Sequence, residues 1–231
     1  MTRLRLIAAV LWLLTGCTSS HGLDPKPLTE LLRYEEQRFI GEEPLKSIAP
    51  RSPRDTLRKL GLYLKPTGFF TREFEWTDSD RDTVLSWAKA LRSDRIAGDA
   101  NFIPQSSLKH NTLTELRESA ARYGADLLLI MDAAASIDRY NNRKAALLYW
   151  TILGAYLVDG THSDALCLIR GSVWEVKSGT QLLTDDAQAI AQQLGPAVMV
   201  EDRATVSQAC QQALKQLLTS MKNRLGHPQN P

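Results

Sequence analysis

The spacing of hydrophobic positions predicts strands and helices in the first part of the chain. The run 125–132 is apolar and follows Gly124, a residue typical of helix ends, so a buried strand is expected there. The other strands are predicted by runs that are apolar throughout or that alternate between apolar and polar residues. Apolar residues three or four positions apart predict helices. The expected elements are a short helix over 28–40, strands over 57–64, 97–104 and 125–132, and helices over 77–91 and 113–123.

The second part of the chain predicts an antiparallel meander. Strands are expected over 147–158 and 166–176, and the turns around them are too short for parallel crossovers. Residues 180–192 fit either a weak helix or a fourth meander strand, and the Ser-Gly turn before them favours the strand. The turns lie at 140–144, 159–160 and 178–179.

A final helix completes the predicted fold. Its apolar residues form one stripe, as expected of a helix packed on a sheet. The chain is therefore expected to form one α/β domain with a mixed sheet of about six or seven strands. That sheet joins a strand–helix–strand–helix–strand unit to the antiparallel meander, with helices packed on it. The stripe consists of Val206, Cys210, Ala213, Leu214, Leu217, Leu218 and Met221.

Three aspartates open the helix over 77–91 and have two readings. Asp78, Asp80 and Asp82 have the spacing that begins a calcium-binding loop. The glycine and the glutamate that this loop requires are replaced by Thr83 and Lys89. Carboxylates in the first turn of a helix are favoured by its dipole in any case. Helix capping is therefore expected here, and calcium binding is not.

The N-terminus has the three parts of an export signal. Arg3 and Arg5 precede an apolar core over 6–14, and small residues lead to Cys17. The sequence Leu14-Thr15-Gly16-Cys17 resembles the lipobox of bacterial lipoproteins. The resemblance implies cleavage before Cys17 and attachment of acyl chains, such as palmitate, to that residue. An ordinary signal peptide or a short membrane anchor are the alternatives, although the core is short for a span of roughly 20 residues.

The lipobox divides the chain into segments and implies a location. In lipoproteins an aspartate directly after the lipidated cysteine tends to retain the protein in the inner membrane. Thr18 stands there instead, so the resemblance implies the outer membrane of a Gram-negative host, on the periplasmic side. The expected segments are a signal peptide over 1–16, a lipid anchor and tether over 17–27, an N-terminal helix and proline-rich loop over 28–56, the α/β domain over 57–225, and a disordered tail over 226–231.

Charge and cysteine content narrow the class of protein. The chain has 28 basic and 26 acidic residues, and cleavage of the signal removes Arg3 and Arg5, leaving 28 − 2 = 26 of each sign. Such a balance has no electrostatic footprint for nucleic acid. Lipidation of Cys17 would leave Cys167 and Cys210 in an oxidising compartment, where they could form a disulfide. Buried free thiols are the favoured alternative, and a functional thiol is a third.

No sequence motif identifies a reaction. Nucleophile elbows, phosphate-binding loops, dinucleotide glycines and paired metal-binding histidines are absent from the sequence. His162 and Asp164, expected on a turn, are the nearest approach to a catalytic dyad, but no nucleophile accompanies them. The chain is therefore expected to be non-catalytic and to hold neither a metal nor another cofactor. An envelope hydrolase remains the enzymatic alternative.

Two stretches are candidates for an interface. Arg139, Arg143 and Lys144 belong to a basic segment expected at a hairpin tip, where a partner or a lipid headgroup could bind. The strand over 147–158 is apolar on both faces, with Tyr149, Trp150 and Tyr156 among its residues. It could be a central strand covered by helices, an interface with a partner or a second subunit, or a strand of a membrane barrel.

The apolar stretches also carry a family resemblance. The runs Tyr123-Gly124-Ala125-Asp126-Leu127-Leu128-Leu129-Ile130 and 149–158 resemble those of the rhombotarget lipoproteins of the bacterial envelope, as does the strand end at Ile103-Pro104. The order of elements is also similar to the N-terminal domain of TolB, to lipoprotein activators of penicillin-binding proteins, and to the curli secretion lipoprotein. These are binding or assembly proteins. The resemblance implies a lipid-anchored binding or assembly factor, with an envelope protein partner or self-association, or a subunit of an oligomeric secretion complex.

Overall fold

The structure is a computed structural model of the 231-residue chain. It describes residues 20–37, 57–66, 74–109, 112–142, 156 and 159–226. The elements, numbered in chain order, are α1 (Pro25–Gln37), β1 (Leu60–Leu64), α2 (Asp78–Ser93), β2 (Ala100–Phe102), a 3₁₀ turn (Gln105–Ser107), α3 (Leu113–Arg122), β3 (Leu127–Asn141), β4 (Thr161–Glu175), β5 (Gln181–Gly195) and α4 (Asp202–Gly226).

The described strands form one mixed sheet in the order β2-β1-β3-β4-β5. Strand β1 is parallel to both β2 and β3, whereas β3, β4 and β5 are antiparallel to their neighbours. The predicted α/β class, with a parallel unit followed by a meander and a C-terminal helix, is confirmed. The described sheet has five strands, and the sixth one expected, over 147–158, lies outside the described residues except for Tyr156.

The two sides of the sheet are covered by different helices. Strands β2 and β3 lie on opposite sides of β1, so right-handed crossovers place α2 and α3 on opposite faces. We call the side that α2 and α4 cover the α4 face, and the side that α1 and α3 cover the α1 face. Odd-numbered residues of β3, such as Leu129 and Ala133, belong to the core of the α4 face, and even-numbered ones, such as Leu128 and Ala134, to the clusters of the α1 face.

One continuous core fills the α4 face. The buried stripe of α4 packs there on β3, β4 and β5, together with Val84 and Trp87 of α2. The indole Nε1 of Trp87 donates a 2.7 Å hydrogen bond to the carbonyl oxygen of Leu218. Gly171 allows α4 to approach β4 closely, because a Cβ there would lie 2.8 Å from Met221 Sδ.

Helix α2 begins with the capping that its first turn predicts. Thr77 Oγ1 accepts a hydrogen bond from the backbone N–H of Asp80, and the Asp80 carboxylate accepts one from the backbone N–H of Thr77. This reciprocal pair satisfies two backbone donors that the helix itself leaves without partners. Asp80 is buried by this role, so it is not presented to solvent as a calcium ligand.

Strands β3 and β4 extend beyond the predicted bounds. Residues 138–141, expected in a basic loop over 138–144, continue β3 and pair with residues 161–164 of β4. The expected turn at His162 is therefore also wrong, since His162 lies within β4. Residues 135–138 alternate between apolar and polar, and both helix layers pack on this hairpin, so the strands continue.

Residues 181–192 belong to β5, so the prediction of a fourth meander strand for this stretch is confirmed and the helical alternative is wrong. The turn before it is fixed by Arg117, a fully buried residue of α3. Arg117 Nε and Nη2 donate hydrogen bonds to the carbonyl oxygens of Val176 and Lys177, each 3.0 Å long. Gly179 has a φ of 73°, and a Cβ there would lie 2.6 Å from an Arg117 nitrogen, so only glycine fits.

The N-terminal part of the domain begins earlier than expected. Helix α1 starts at Pro25, within the segment predicted as tether, and proline is well tolerated in the first turn of a helix. Leu28 and Leu32 of α1 pack on Ala134, Leu166 and Leu168 of the α1 face. The folded unit therefore includes residues before 57. Gly226, expected to begin the tail over 226–231, is the last residue of α4. Outside the described residues lie the signal peptide, Cys17, the proline-rich loop and the rest of the tail.

Candidate binding surface

The two cysteines of the domain are bonded across the α4 face. Cys167 of β4 and Cys210 of α4 have an S–S distance of 2.09 Å and a Cα–Cα distance of 5.0 Å. The Cα separation lies within the range that a disulfide requires. Both residues are buried. The structure therefore has the disulfide and not the favoured free thiols, and the bond joins α4 to the sheet.

Arg139, a candidate interface residue, is engaged within the protein. Its guanidinium donates hydrogen bonds to Asp202 at 3.0 Å and to the carbonyl oxygens of Ala197 and Val200 at 2.9 and 3.4 Å. Asp202 also accepts a 2.7 Å hydrogen bond from Ser163. Arg139 thus holds the loop between β5 and α4 and is not part of a hairpin tip.

The other interface candidates are mostly not described. Arg143, Lys144, Tyr149 and Trp150 lie outside the described residues. Tyr156 is helical, not extended, and about half of its surface is exposed. The alternatives for the stretch over 147–158 therefore stay predictions.

The end of the sheet near Asn141 holds a cluster of polar side chains. The rings of Tyr140 and His162 stack with centroids 4.8 Å apart. The Tyr140 hydroxyl lies 3.3 Å from the Asp164 carboxylate, and burial followed by that carboxylate raises the pKa of Tyr140. His162 and Asp164 thus lie on one strand with a phenol beside them, an arrangement that stabilises the hairpin.

Asp138 anchors the N-terminal segment to this end of the sheet. Its Oδ2 accepts hydrogen bonds from the Ser20 hydroxyl at 2.5 Å and from the Gly22 backbone N–H at 2.9 Å. The Ser20 hydrogen bond lowers the pKa of Asp138 most, burial opposes it, and the amides of Gly22 and His21 lower the pKa further. Residues predicted as a free tether are therefore in contact with the domain from Ser20 onward.

A buried polar group separates the two apolar clusters of the α1 face. Lys65 Nζ lies 2.8 Å from Asp132 Oδ2, and both side chains are mostly shielded from solvent. Burial and then the Asp132 carboxylate raise the pKa of Tyr63 to about 12. This ion pair and phenol lie between the α3 cluster and the α1 cluster, and their described contacts are internal to the fold.

Strand β5 is the most exposed part of the described sheet. It is 15 residues long, and no described strand pairs with its outer side. Ile190 lies on the α1 face beside Leu166 and is 54% exposed, and Leu182, at an irregular position near the other end, is 47% exposed. We call Leu182, Ile190 and the outer backbone of β5 the edge surface. Sequence reasoning missed it because residues 180–192 did not distinguish a strand from a helix.

Metal-binding clusters and membrane-spanning helices are both absent from the described residues. Within these ranges, His, Cys, Asp and Glu side chains nowhere gather in a group of three that could hold a metal ion. Among the same residues, no helix has both the length and the hydrophobicity that crossing a membrane requires.

Comparisons with known proteins find distant structural likenesses. No protein-family model and no curated protein matches the chain. It is similar to a protein described as a neuraminyllactose-binding hemagglutinin homologue from Helicobacter pylori, with 13% identity, a TM-score of 0.40, and coverage of 78% of this chain and 89% of that one. It is also similar to a minor lipoprotein from Acinetobacter baumannii, with 10% identity, a TM-score of 0.37, and coverage of 74% and 92%.

A third likeness is to the C-terminal domain of LpoB from Salmonella enterica. The identity is 11% and the TM-score 0.31, with coverage of 69% of this chain and 93% of that one. At such identities and TM-scores, these likenesses assign neither a family nor a function to the chain. Membership of the rhombotarget lipoproteins therefore stays a prediction.

Proposed function

We propose that this chain is a lipid-anchored binding protein of the bacterial outer membrane that faces the periplasm and is not an enzyme. The lipobox ending at Cys17 supports the anchor. The edge surface supports binding, and it is the observation on which the proposal mainly rests. We propose that an envelope protein adds an extended segment to β5, with no cofactor and no nucleic acid involved.

The structure of β5 favours this mode of binding. An edge strand presents backbone N–H and C=O groups that an incoming strand can pair with, and its exposed side chains select the partner. On the α1 face, Ile190 is apolar and solvent-exposed between the polar residues Gln188 and Gln192. Natural edge strands are usually protected by charge, and the charged residues Asp185 and Asp186 lie toward only one end of β5.

The described polar clusters support a non-catalytic role. Asp132 pairs with Lys65, Asp138 with the N-terminal segment, and Asp164 with Tyr140. Each carboxylate contributes to a contact between elements of the fold. An envelope hydrolase would need a carboxylate pair or a Ser/His pair in a cleft, and a subunit of a secretion complex would form a discrete oligomer.

Site-specific crosslinking in intact cells tests the edge surface. A photoreactive side chain at Leu182 should give a discrete crosslinked species, and one at the exposed Gln216 of α4 should not. Ile190→Asp should abolish the species, whereas the matched control Gln188→Asp should retain it. Equal crosslinking from both sites, or no effect of Ile190→Asp, contradicts the proposal. A crosslinked species with twice the mass of this chain identifies self-association instead.

The anchor has its own test. Cys17→Ser should abolish labelling with a radioactive fatty acid and leave a precursor that is not cleaved. If that variant is still labelled and still fractionates with the outer membrane, the lipobox interpretation is wrong.

A further inference from the structure

We propose that one end of the sheet lies against the lipid bilayer through Leu194, Val198 and Met199, which we call the tip. Leu194 is near the end of β5, and Val198 and Met199 lie in the loop that leads to α4. The proposal rests on the lipid anchor at Cys17 proposed above. It adds an orientation of the domain and a second contact with the membrane.

The N-terminal segment brings this end of the sheet to the membrane. Ser20 is bound to Asp138, and only three residue steps separate it from Cys17. Three steps span at most about 11 Å. The acyl chains on Cys17 would lie in the hydrocarbon, and the headgroup layer of one leaflet is only roughly 6 Å thick. The region around Asp138 is therefore held close to the bilayer surface.

Leu194 is near Asp138 on the same face of the sheet, and Val198 and Met199 follow in the loop that starts at this end of β5. Asp138 pairs with Asp164, which pairs with Gln192, and Leu194 is two residues further along β5. With strands about 4.8 Å apart and a rise of about 3.3 Å per residue, Leu194 lies roughly 12 Å from Asp138. The anchor and the tip thus belong to one end of the molecule.

The loop of the tip exposes apolar side chains from a well-fixed backbone. Val198 and Met199 are 54% and 62% exposed, and Leu194 is 54% exposed. Arg139 donates hydrogen bonds to the carbonyl oxygens of Ala197 and Val200, which lie on either side of Val198 and Met199. Neighbouring large apolar side chains in water are unfavourable, and burial in the bilayer would remove this cost.

The charges beside the tip have both signs. Glu201, Asp202 and Arg203 follow the loop, and Asp202 is paired with Arg139. An electrostatic attraction to anionic lipid is therefore not expected. The contact should depend on apolar burial in the headgroup region, as for amphipathic segments at interfaces, and should be insensitive to salt.

Methionine oxidation on vesicles tests the proposal. The mature chain has three methionines, of which Met199 is 62% exposed while Met131 and Met221 are at most 1% exposed. Lipidated protein is added to vesicles of phosphatidylethanolamine and phosphatidylglycerol and treated with chloramine-T, a charged oxidant. The reference is mature chain exported without the lipid. Met199 should be oxidised about fivefold more slowly in the anchored protein, and the buried methionines report that the fold is intact.

A pair of variants sharpens the test. Val198→Lys in the lipidated protein should restore rapid oxidation of Met199, and Leu182→Lys, at the far end of β5, should not. If Met199 is oxidised at the same rate with and without the lipid, and the N-terminal peptide has the mass of the lipidated form, the membrane contact of the tip is wrong. The lipid anchor is then still supported. A peptide without the lipid overturns both, whereas the edge surface is tested separately by crosslinking.

Discussion

The two faces of the sheet are built differently. On the α4 face a single 25-residue helix covers three strands, and a disulfide joins that helix to the sheet. On the α1 face two shorter helices cover separate clusters, with the Lys65–Asp132 ion pair between them and exposed residues of β5 beside them. The α4 face thus has the features of a stable core. The α1 face leaves side chains of β5 exposed and binds the N-terminal segment at Asp138.

The largest effect should come from the disulfide of the α4 face. The double change Cys167→Ala and Cys210→Ala removes a bond that closes a loop of 43 residues. A loop of that length predicts a loss of about 4 kcal/mol in the free energy of unfolding. Urea unfolding measures the loss, with reduced wild-type protein as the control that keeps both sulfur atoms. Two alkylated cysteines in denatured, non-reduced mature protein would show that the bond does not form.

A smaller and more local effect is expected on the α1 face. Leu32→Ala removes a side chain that is 2% exposed and should cost about 3 kcal/mol. Because α1 packs on the sheet through one small cluster, this helix should detach before the sheet unfolds. Faster tryptic cleavage after Arg33, with the sheet still protected, would show this. Leu31→Ala, at a less buried position, is the control, and a loss of stability without faster cleavage would contradict local detachment.

The smallest effect concerns the polar group between the two clusters of the α1 face. Tyrosine ionises near pH 10 when unfolded, whereas the pKa of Tyr63 is about 12. The unfolded state therefore loses this proton first, and stability should fall as pH rises from about 10 to about 12. The full loss is about 2.7 kcal/mol, of which about 1.4 kcal/mol appears by pH 11.

Urea unfolding at pH 8 and pH 11 measures this dependence. Tyr63→Phe should remove that part of the alkaline loss, and the control Tyr34→Phe, at a residue 63% exposed, should keep it. If the free energy of unfolding falls by the same amount between pH 8 and pH 11 in the wild type and in Tyr63→Phe, the phenol is not shielded as the structure indicates.

Local sequence signals predicted much of the fold. Thr77 and the aspartates after it predicted the start of α2, and Gly124, whose φ is 76°, predicted the break before β3. The signals failed where burial depends on distant segments. Residues 138–141 are polar enough for a turn, yet they continue β3 because β4, α4 and the N-terminal segment supply their partners.

The sequence by itself determined the α/β class, the C-terminal helix and the candidate lipid anchor, because each depends on residues that are close together in the chain. Only the tertiary structure decided that Cys167 meets Cys210, that Arg139 is used internally, and that Ser20 binds Asp138. Each of these contacts joins residues at least 43 positions apart. Periodicity and spacing report only which side chains share a face, whereas these pairings depend on how the helices pack on the sheet.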